Sequence, residues 1–455
     1  MSVPFTLSLT SGQHATIKEI LLKGKSKPSI AIAFCGQRAG NRRHKLMVRS
    51  IHQSSFPVTK GSLRAISGEN IGMAVAVFMC ANDFSLFCGN SDSKILYSIE
   101  KSLETRGPFA SATMLPDGQL SGNVLLADGS VAPFEVISVV GDDIQYWYAK
   151  NNNSSPNDFC ASHTQLFGAG TIERLSKLSI AVVGCSGTGS PLIEQLMRLG
   201  VGELVLVDYD PVEERNLNRI YNSTLKDAQQ GRLKVDILAE AIRRTGLGTS
   251  VIPIPQNLWS IEAVHAVAQS DIIFGCMDGA DGRYLLNVLA TYHTIPYFDL
   301  GVRLEAEPGG VNKGRINEVC GGVHYLQPGQ SSLISRRVIS MRKVMEDGLR
   351  RKDPSAHAQE CRDGYISGVV EHRPAVVSVN TLAASIAVNE MLARIHPYRE
   401  EENHNFAQVF FSLSSMEIIS DPEGPTCSIL WDKVGLGDTN PLLGEMELSI
   451  MDEKK

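Results

Sequence analysis

The stretch VVGCSGTGSP, residues 182–191, is the most informative part of the sequence about the fold, because it places a glycine-rich turn between an apolar strand and a helix. Glycine permits a tight turn and lets backbone N–H groups approach an anion at the start of a helix. We therefore expect Gly184, Ser186, Gly187 and Gly189 to form a phosphate-binding turn. A dehydrogenase, a methyltransferase and an ATP-dependent adenylating enzyme can all begin in this way. The residues that follow distinguish them.

Beyond the turn, apolar strands alternate with helices as far as IPYFDLG at residues 295–301. Strands that are apolar on both faces and alternate with helices indicate a mainly parallel, doubly wound, Rossmann-like α/β sheet. Ligands of such sheets bind beyond the carboxyl ends of the strands. Asp208, Asp278 and Asp299 each follow a predicted strand at this edge. Asp208 stands about twenty residues after the glycines, where an acceptor for ribose hydroxyls is expected.

Composition restricts the class of protein. The chain has 455 residues, of which 43% are hydrophobic and 20% charged, as in globular proteins of two or three domains. Its formal net charge of −6 argues against a nucleic-acid binder, whose affinity comes from positive charge. No apolar run is long enough to cross a membrane, and the nine scattered cysteines form no CxxC pair. We expect a cytoplasmic protein with reduced thiols that binds neither nucleic acid nor membrane.

The polar stretch AKNNNSSPND indicates an exposed linker, placed at residues 149–160. Strands dominate the sequence before it, with an early and a central helix, so residues 1–148 are expected to form a smaller α+β domain. The α/β domain is predicted over residues 161–440, and a frayed tail over 441–455.

The stretch DYDPVEERNLNRI at residues 208–220 separates the reaction classes, together with Lys234 and CMDGADGR at 276–283. A hydride-transfer enzyme needs neither cations beside the phosphates at this position nor a carboxylate after the fourth strand. An enzyme that breaks a phosphoanhydride needs both, because fixed cations stabilise the negative charge that develops. We therefore expect Arg219 and Lys234 to meet the triphosphate of ATP, and Asp278 to hold Mg²⁺.

Residues from about 161 to 440 resemble the ThiF/MoeB/ubiquitin-activating-enzyme superfamily. The resemblance rests on the G-x-S-G-x-G turn, LVLVDYDPVEERNLNRI, Lys234, CMDGADGR and PYFDLG. It implies adenylation of the C-terminal glycine of a ubiquitin-like or sulfur-carrier protein, with ATP as the AMP donor, and a homodimer formed through this domain. The implied nucleotide contacts are Asp208 at the ribose, Asn216, Arg219 and Lys234 near the phosphates, and Asp278 at the magnesium, with Asp210 as a further residue of the nucleotide site.

The sequence departs from this family pattern at several positions. Ser186 replaces the middle glycine, which is tolerable if the residue keeps φ negative. Gly279 stands where many members have Asn, and His163 stands near the expected upstream arginine. Many relatives bind zinc through two CxxC pairs, of which only Cys427 remains here, so no structural zinc is expected.

Cys361 lies in DPSAHAQECRDGYISG, within a crossover loop predicted near residues 346–368. Thioester-forming members of the superfamily carry their cysteine in this loop. Arg362 and His357 are close in sequence, and neighbouring cations lower the pKa of a thiol and favour the thiolate. Cys361 is therefore the predicted nucleophile, which would pass the carrier to a conjugating enzyme. A sulfur-carrier adenylyltransferase without a thioester step, and a non-catalytic partner that only binds a carrier, remain as alternatives.

Residues 1–148 resemble the JAB/MPN isopeptidase fold in SIAIAFCGQ, KLMVRSIHQ, FMCANDFSLFCGNSD and MLPDGQLSGNVLLADG. An active member needs a Glu base, an H-x-H pair and an Asp to hold catalytic zinc. Ser29, Cys80, Asn82 and Asp92 occupy these positions, and only the last keeps its type. The resemblance therefore implies an inactive domain. The whole arrangement is similar to the activating component of bacterial ubiquitin-like antiphage operons.

Overall fold

The structure is a computed structural model, and its described residues form two compact units. The described residues are 3–22, 29–55, 73–80, 108–126, 128–149, 158–307, 314–362 and 375–449. The first unit comprises Met1–Ser154, Thr291–Thr294 and Asp432–Lys455, and the second comprises Ser155–Ala290 and Ile295–Trp431.

The first unit is built around a closed β-sheet. Its strands are β1 (Phe5–Thr10), β2 (Ser29–Arg38), β3 (His44–Ser55), β4 (Ala74–Cys80), β5 (Phe109–Met114), β6 (Leu120–Leu125), β7 (Val131–Val140) and β8 (Ile144–Tyr148). The order is β1-β3-β2-β4-β5-β6-β7-β8, and β1 also pairs in parallel with β7, so that the sheet closes on itself. Closure removes the exposed edges that an open sheet would leave.

The strand-rich first unit contains the early helix of the predicted α+β domain. Helix α1 (Ser11–Leu22) buries Ile17 and Leu21 in the core of the unit, and it is the one α-helix among this unit's described residues outside 291–294. The central helix predicted from SKILYSIEKSLETRG lies outside the described residues. The tail predicted to be frayed from residue 441 differs from that prediction in the structure, because Leu442, Leu443 and Leu448 are buried.

The second unit contains strands alternating with helices, as predicted. Its strands are β9 (Ser179–Val183), β10 (Glu203–Val207), β11 (Ser250–Ile254), β12 (Ile272–Gly275), β13 (Tyr297–Ala306), β14 (Ile316–Leu326), β15 (Gln408–Ser412) and β16 (Glu417–Asp421). Its helices are α2 (Ala161–Phe167), α3 (Ala169–Leu175), α4 (Gly189–Arg198), α5 (Leu225–Gln229), α6 (Lys234–Thr245), α7 (Ile261–Ala268), α8 (Ala280–Tyr292), α9 (Met341–Lys352), α10 (Pro354–Arg362) and α11 (Val377–Ile395).

The sheet of the second unit has the order β11-β10-β9-β12-β13-β14-β15-β16. The pairs from β11 to β13 are parallel, whereas β14, β15 and β16 are each antiparallel to the preceding strand in that order. The predicted α/β fold is thus confirmed, but the sheet is parallel only in the half that carries the glycine turn. A parallel return from β13 to β14 would need a crossover of a dozen or more residues, and the connection at 307–315 is shorter than that.

The core of the second unit lies between the sheet and its helices. Phe298 stacks on Phe274 with ring centroids 5.0 Å apart and meets Tyr325 at the same distance. On α11, Val379 and Ala383 pack against Phe411 of β15. No helix in the described part of the chain is long and apolar enough to cross a membrane.

Candidate functional site

The glycine turn lies where the sheet order reverses, between β9 and β12. Gly184 has φ of +93°, a conformation that favours glycine. A Cβ atom at Gly189, the first residue of α4, would lie 1.9 Å from the Gly184 carbonyl oxygen. Both positions therefore require glycine, and the backbone turns tightly into the helix. Ser186 is not among the residues with positive φ, so it meets the condition for replacing the middle glycine.

Asp208, Asp210 and Lys234 form a charged cluster beside this turn. Asp208 accepts hydrogen bonds from the Cys185 N–H at 2.8 Å and from the Asp210 N–H at 2.9 Å. Lys234 Nζ donates to Asp210 Oδ2 at 2.7 Å and lies 3.6 Å from Asp208 Oδ1. Burial raises the pKa of the Asp208 carboxyl, although the Lys234 ammonium opposes that rise. In this structure the Lys234 amine, predicted to reach a triphosphate, is held by the two acids.

Asn216 and Arg219 lie in the segment that leads away from β10. Asn216 is buried, and its Oδ1 accepts the Glu213 N–H at 3.1 Å, so the side chain caps its own loop. Arg219 reaches the glycine turn through its aliphatic stem: a Cβ atom at Gly187 would lie 3.0 Å from Arg219 Cδ. The guanidinium donates to the Arg215 carbonyl oxygen at 3.0 Å.

Asp278 is exposed and stands between the end of β12 and the start of α8. A Cβ atom at Gly184 would lie 2.5 Å from the Cys276 carbonyl oxygen, so this connection is in contact with the glycine turn. Among the described residues, no group of three or more His, Cys, Asp or Glu side chains is placed to hold a metal. A single carboxylate nevertheless fits Mg²⁺, which protein sites often bind through one or two carboxylates and the phosphates of the substrate.

A cavity of about 500 Å³ lies over the antiparallel half of the sheet, and Arg283, Arg303 and His324 are among its lining residues. Arg283 Nε donates to Asp299 Oδ1 at 2.9 Å, and the Tyr297 hydroxyl donates to the same oxygen at 2.7 Å. Burial alone would raise the pKa of the Asp299 carboxyl, but the Arg283 guanidinium lowers it. Arg283, which lines the cavity, lies in the first turn of α8, five residues after Asp278.

Two side chains of helix α9 form hydrogen bonds with the start of α8. Asp347 is buried, and its Oδ2 accepts the Ala280 N–H at 2.8 Å. Arg351 Nε donates to Asp281 Oδ2 at 2.9 Å, and its guanidinium lies 3.8 Å above the centre of the Trp259 ring. The position of the turn after β12 thus depends on a helix from a distant part of the sequence.

Cys361 lies in the last turn of α10, and not in the exposed loop predicted near 346–368. Helices form here because Ser340 caps α9 and the Asp353 carboxylate accepts the N–H groups of Ser355 and Ala356. Cys361 is half-buried, and its Sγ lies 3.9 Å from His357 Nδ1. The Arg362 side chain and the predicted loop residues from 363 lie outside the described residues.

Other predicted positions are distributed over the two units. Cys427 is buried, as a small apolar residue would be, and His163 lies on α2. Ser29 begins β2 and Cys80 ends β4, whereas Asn82 and Asp92 lie outside the described residues.

Sequence reasoning missed the positions of Asp347 and Arg351 at the start of α8 and of Asn380 beside Gly187. The first two lie in a basic run that predicts a solvated face or a docking surface for an acidic patch of a partner, and no local pattern marks their contacts. Asn380 had a weak signal, because it is a polar residue in the small-apolar stretch SVNTLAASIAVNEMLARI.

A family model described as the ThiF family matches residues 160–428. The chain belongs to the ThiF family. Among its curated relatives, the ubiquitin-like modifier-activating enzyme 5 of Culex quinquefasciatus is 24% identical over 212 residues, which are 44% of this chain and 50% of the relative. The adenylyltransferase and sulfurtransferase MOCS3 of Bos taurus is 40% identical over 114 residues, 25% of each chain.

This ThiF-family chain therefore spans about half the length of the first relative and a quarter of the second. A crystal structure of E. coli MccB with ATP aligns with a TM-score of 0.44 and 19% identity, over 60% of this chain and 74% of that one.

Proposed function

We propose that this ThiF-family chain adenylates the C-terminal glycine of a ubiquitin-like protein at the expense of ATP. The observation that supports this most is the convergence of the glycine turn, the Asp208 and Lys234 cluster, the Arg219 stem and Asp278 at one edge of a sheet. Two relatives whose names describe an activating enzyme and an adenylyltransferase support the same reaction class.

The proposed reaction binds ATP in the Rossmann-like mode that the order of the parallel strands supports. Asp208 would accept the ribose hydroxyls, and the start of α4 would bind phosphate oxygens. Arg219 and Lys234 would neutralise the triphosphate, which requires the Lys234 amine to exchange one carboxylate partner for a phosphate. Asp278 would hold Mg²⁺, which supplies charge neutralisation to the departing pyrophosphate. The carrier carboxylate then attacks the α-phosphorus, the bond to pyrophosphate breaks, and an acyl adenylate forms.

The cavity beside Arg283 is the proposed site for the end of the carrier. Glycines 301, 321 and 322 line it together with Phe410, Phe411, Arg303 and Glu417, so its walls combine small and aromatic residues with charges of both signs. Such a lining suits a narrow peptide segment that ends in a carboxylate. Because Arg283 lies in the first turn of α8, five residues after Asp278, a carboxylate drawn towards it approaches the nucleotide site.

A thioester on Cys361 is the proposed second step. The Cys361 thiolate attacks the acyl carbon of the adenylate, AMP leaves, and the carrier can then pass to a conjugating enzyme. Burial raises the pKa of the Cys185 and Cys276 thiols, and burial with the nearby Glu318 raises that of Cys320 to about 11. These thiols are poor nucleophiles. Cys361 is half-buried beside His357 and is the stronger candidate.

The alternative is a sulfur-carrier adenylyltransferase that forms no thioester, which the name of the bovine relative favours. Sequence resemblance alone supports the remaining proposals: an inactive JAB-like first unit, a cytoplasmic homodimer, and a place in a bacterial antiphage conjugation system.

ATP–pyrophosphate exchange tests the adenylation step. We expect the full chain, with Mg²⁺ and a ubiquitin-like protein that ends in glycine, to exchange labelled pyrophosphate into ATP. Asp278→Ala should lower the rate at least a hundredfold, since it removes the proposed magnesium ligand. Glu262→Ala, which removes an exposed carboxylate of α7, should leave the rate unchanged. Equal rates in the wild-type and Asp278→Ala proteins would exclude the proposed site.

A reductant-sensitive adduct tests the second step. Cys361→Ala should lose the adduct between chain and carrier but keep pyrophosphate exchange. Cys80→Ala, at a half-buried cysteine at the end of β4, is the matched control and should keep both. Exchange without an adduct in the wild-type protein would favour the sulfur-carrier alternative.

A further inference from the structure

The start of α4 is an anion-attracting position at the glycine turn. The helix has 10 residues and no acidic residue in its first turn. Pro191 has no N–H and the Ser190 N–H donates to the Ser186 carbonyl oxygen at 2.8 Å, but the helix dipole adds partial positive charge at this end. A helix start does not identify a ligand by itself, but a neighbouring side chain adds information here.

Asn380 of α11 points its amide at this turn. A Cβ atom at Gly187 would lie 2.4 Å from Asn380 Nδ2, closer than any other atom. The residue is only 4% exposed. Its backbone N–H donates to the Val376 carbonyl oxygen, but its side-chain amide makes no hydrogen bond within the described part of the chain. Neither polar atom of the amide is among the fully buried unpartnered atoms of the described residues, so the amide is open at this anion-attracting turn and can donate to a ligand that accepts from it.

The position of Asn380 is fixed by its neighbours. The adjacent Thr381 Oγ1 lies 3.0 Å from the Tyr221 hydroxyl, and the Tyr221 N–H donates to Ser190 Oγ of α4 at 3.1 Å. Val379, on the other side, is packed in the core. The first turns of α4 and α11 are therefore connected, so the amide is held at Gly187, and no acceptor among the described residues competes for it.

We propose that Asn380 is a further phosphate-binding residue, whose amide N–H donates to a phosphate oxygen of the nucleotide at the glycine turn. The inference rests on the proposed function, since it takes ATP as the ligand. It adds a neutral donor to the cations Arg219 and Lys234. An amide can bind phosphate without the desolvation cost of another buried charge.

Equilibrium binding of ATP, ADP and adenosine to the full-length chain tests this assignment. Asn380→Asp keeps the shape but places a carboxylate against the phosphate, so we expect ATP affinity to fall at least tenfold. Asn380→Ala only removes the donor, and its affinity for ATP should fall roughly threefold to tenfold. This variant replaces the Asp variant in the test if the latter does not fold. Asn389→Asp, the same change at an exposed position of α11, should stay within about twofold of wild type.

Adenosine separates phosphate binding from a general disturbance of the site. Because adenosine has no phosphate, its affinity should be equal in wild type and in both Asn380 variants. An equal loss for adenosine and ATP would assign Asn380 a packing role and overturn the proposal, as would an Asn380→Asp protein that binds ATP as tightly as wild type. A wild-type protein that binds no ATP would instead overturn the proposed function, and this assignment with it.

Discussion

Gly187 is a single residue at which the packing of the glycine turn can be tested directly. Its φ is not positive, so alanine is compatible with the backbone, but the added Cβ would lie 2.4 Å from Asn380 Nδ2 and 3.0 Å from Arg219 Cδ. Both side chains would have to move. We expect Gly187→Ala to weaken ATP binding about tenfold, because one proposed cation and one proposed donor are displaced together.

Gly170→Ala is the matched control for this substitution, since a Cβ atom there meets no atom within 4 Å. It should leave the dissociation constant of ATP unchanged. A Gly187→Ala protein with wild-type affinity would show that neither Arg219 nor Asn380 contacts the nucleotide.

The buried His324 gives a second prediction at this scale. Burial lowers its pKa to about 4, although Asp299 opposes the shift, whereas the unfolded chain has a value near 6.5. Between these two pH values the unfolded state binds more protons than the folded state. The stability that the neutral His324 contributes is therefore fully present above pH 6.5 and is lost as the pH falls towards 4. From pH 7 to 5 we expect His324 to remove about 2 kcal/mol from the free energy of unfolding.

Urea unfolding at pH 7 and pH 5 measures this contribution. His324→Gln cannot titrate and should show a pH dependence smaller by that amount. His404→Gln, at an exposed histidine, should unfold like the wild-type protein at both values. A His324→Gln protein with the full wild-type pH dependence would contradict the predicted low pKa.

At the scale of elements, the sequence predicted what local signals determine. The glycine turn and the strand ends at Asp208 and Asp278 follow from glycines, apolar runs and the order of elements. The antiparallel β14 was not predicted, because only the short connection after β13 decides its direction. The helix that contains Cys361 was read as a loop, since its caps are single polar residues within a charged run.

The support that helix α9 gives to the start of α8 can be tested at Asp347. Asp347→Ala leaves the buried Ala280 N–H without its acceptor, which should cost about 2 kcal/mol of unfolding free energy. Because Ala280 begins α8, two residues after Asp278, the same variant should lose pyrophosphate exchange beyond its loss of stability. Asp347→Asn keeps a carbonyl oxygen for the same bond and should retain most of both properties. If the Asn and Ala variants behave alike, the ion pairs of Asp347 with Lys343 and Arg350, rather than the bond to Ala280, support the helix.

At the scale of the whole molecule, the first unit joins segments from opposite ends of the chain. Arg38 Nη1 and Asp438 Oδ2 are 2.5 Å apart, and the Asp438 N–H donates to the Gln37 carbonyl oxygen. A Cβ atom at Gly435 would lie 2.5 Å from the Val48 carbonyl oxygen, and Gly435 has φ of +71°. The sequence gives no sign of this pairing, because nothing local to residue 438 indicates a strand 400 residues away. The tail was therefore predicted as frayed, whereas its described part buries Leu442, Leu443 and Leu448.

Asp438→Ala tests whether this late segment stabilises the first unit. It leaves the buried Arg38 guanidinium without its carboxylate, and we expect the free energy of opening of β2 and β3, measured by hydrogen exchange, to fall by about 2 kcal/mol. Asp432→Ala, which breaks an exposed pair with Lys433, should change it by less than about 0.5 kcal/mol. Adding Arg38→Met to Asp438→Ala should restore part of the loss, because no unpaired charge is then buried. If hydrogen exchange in Asp438→Ala is as slow as in wild type, the stability of the strand that carries Arg38 does not depend on its ion pair with the C-terminal segment. The buried leucines 442, 443 and 448 would then hold that segment in place without the ion pair.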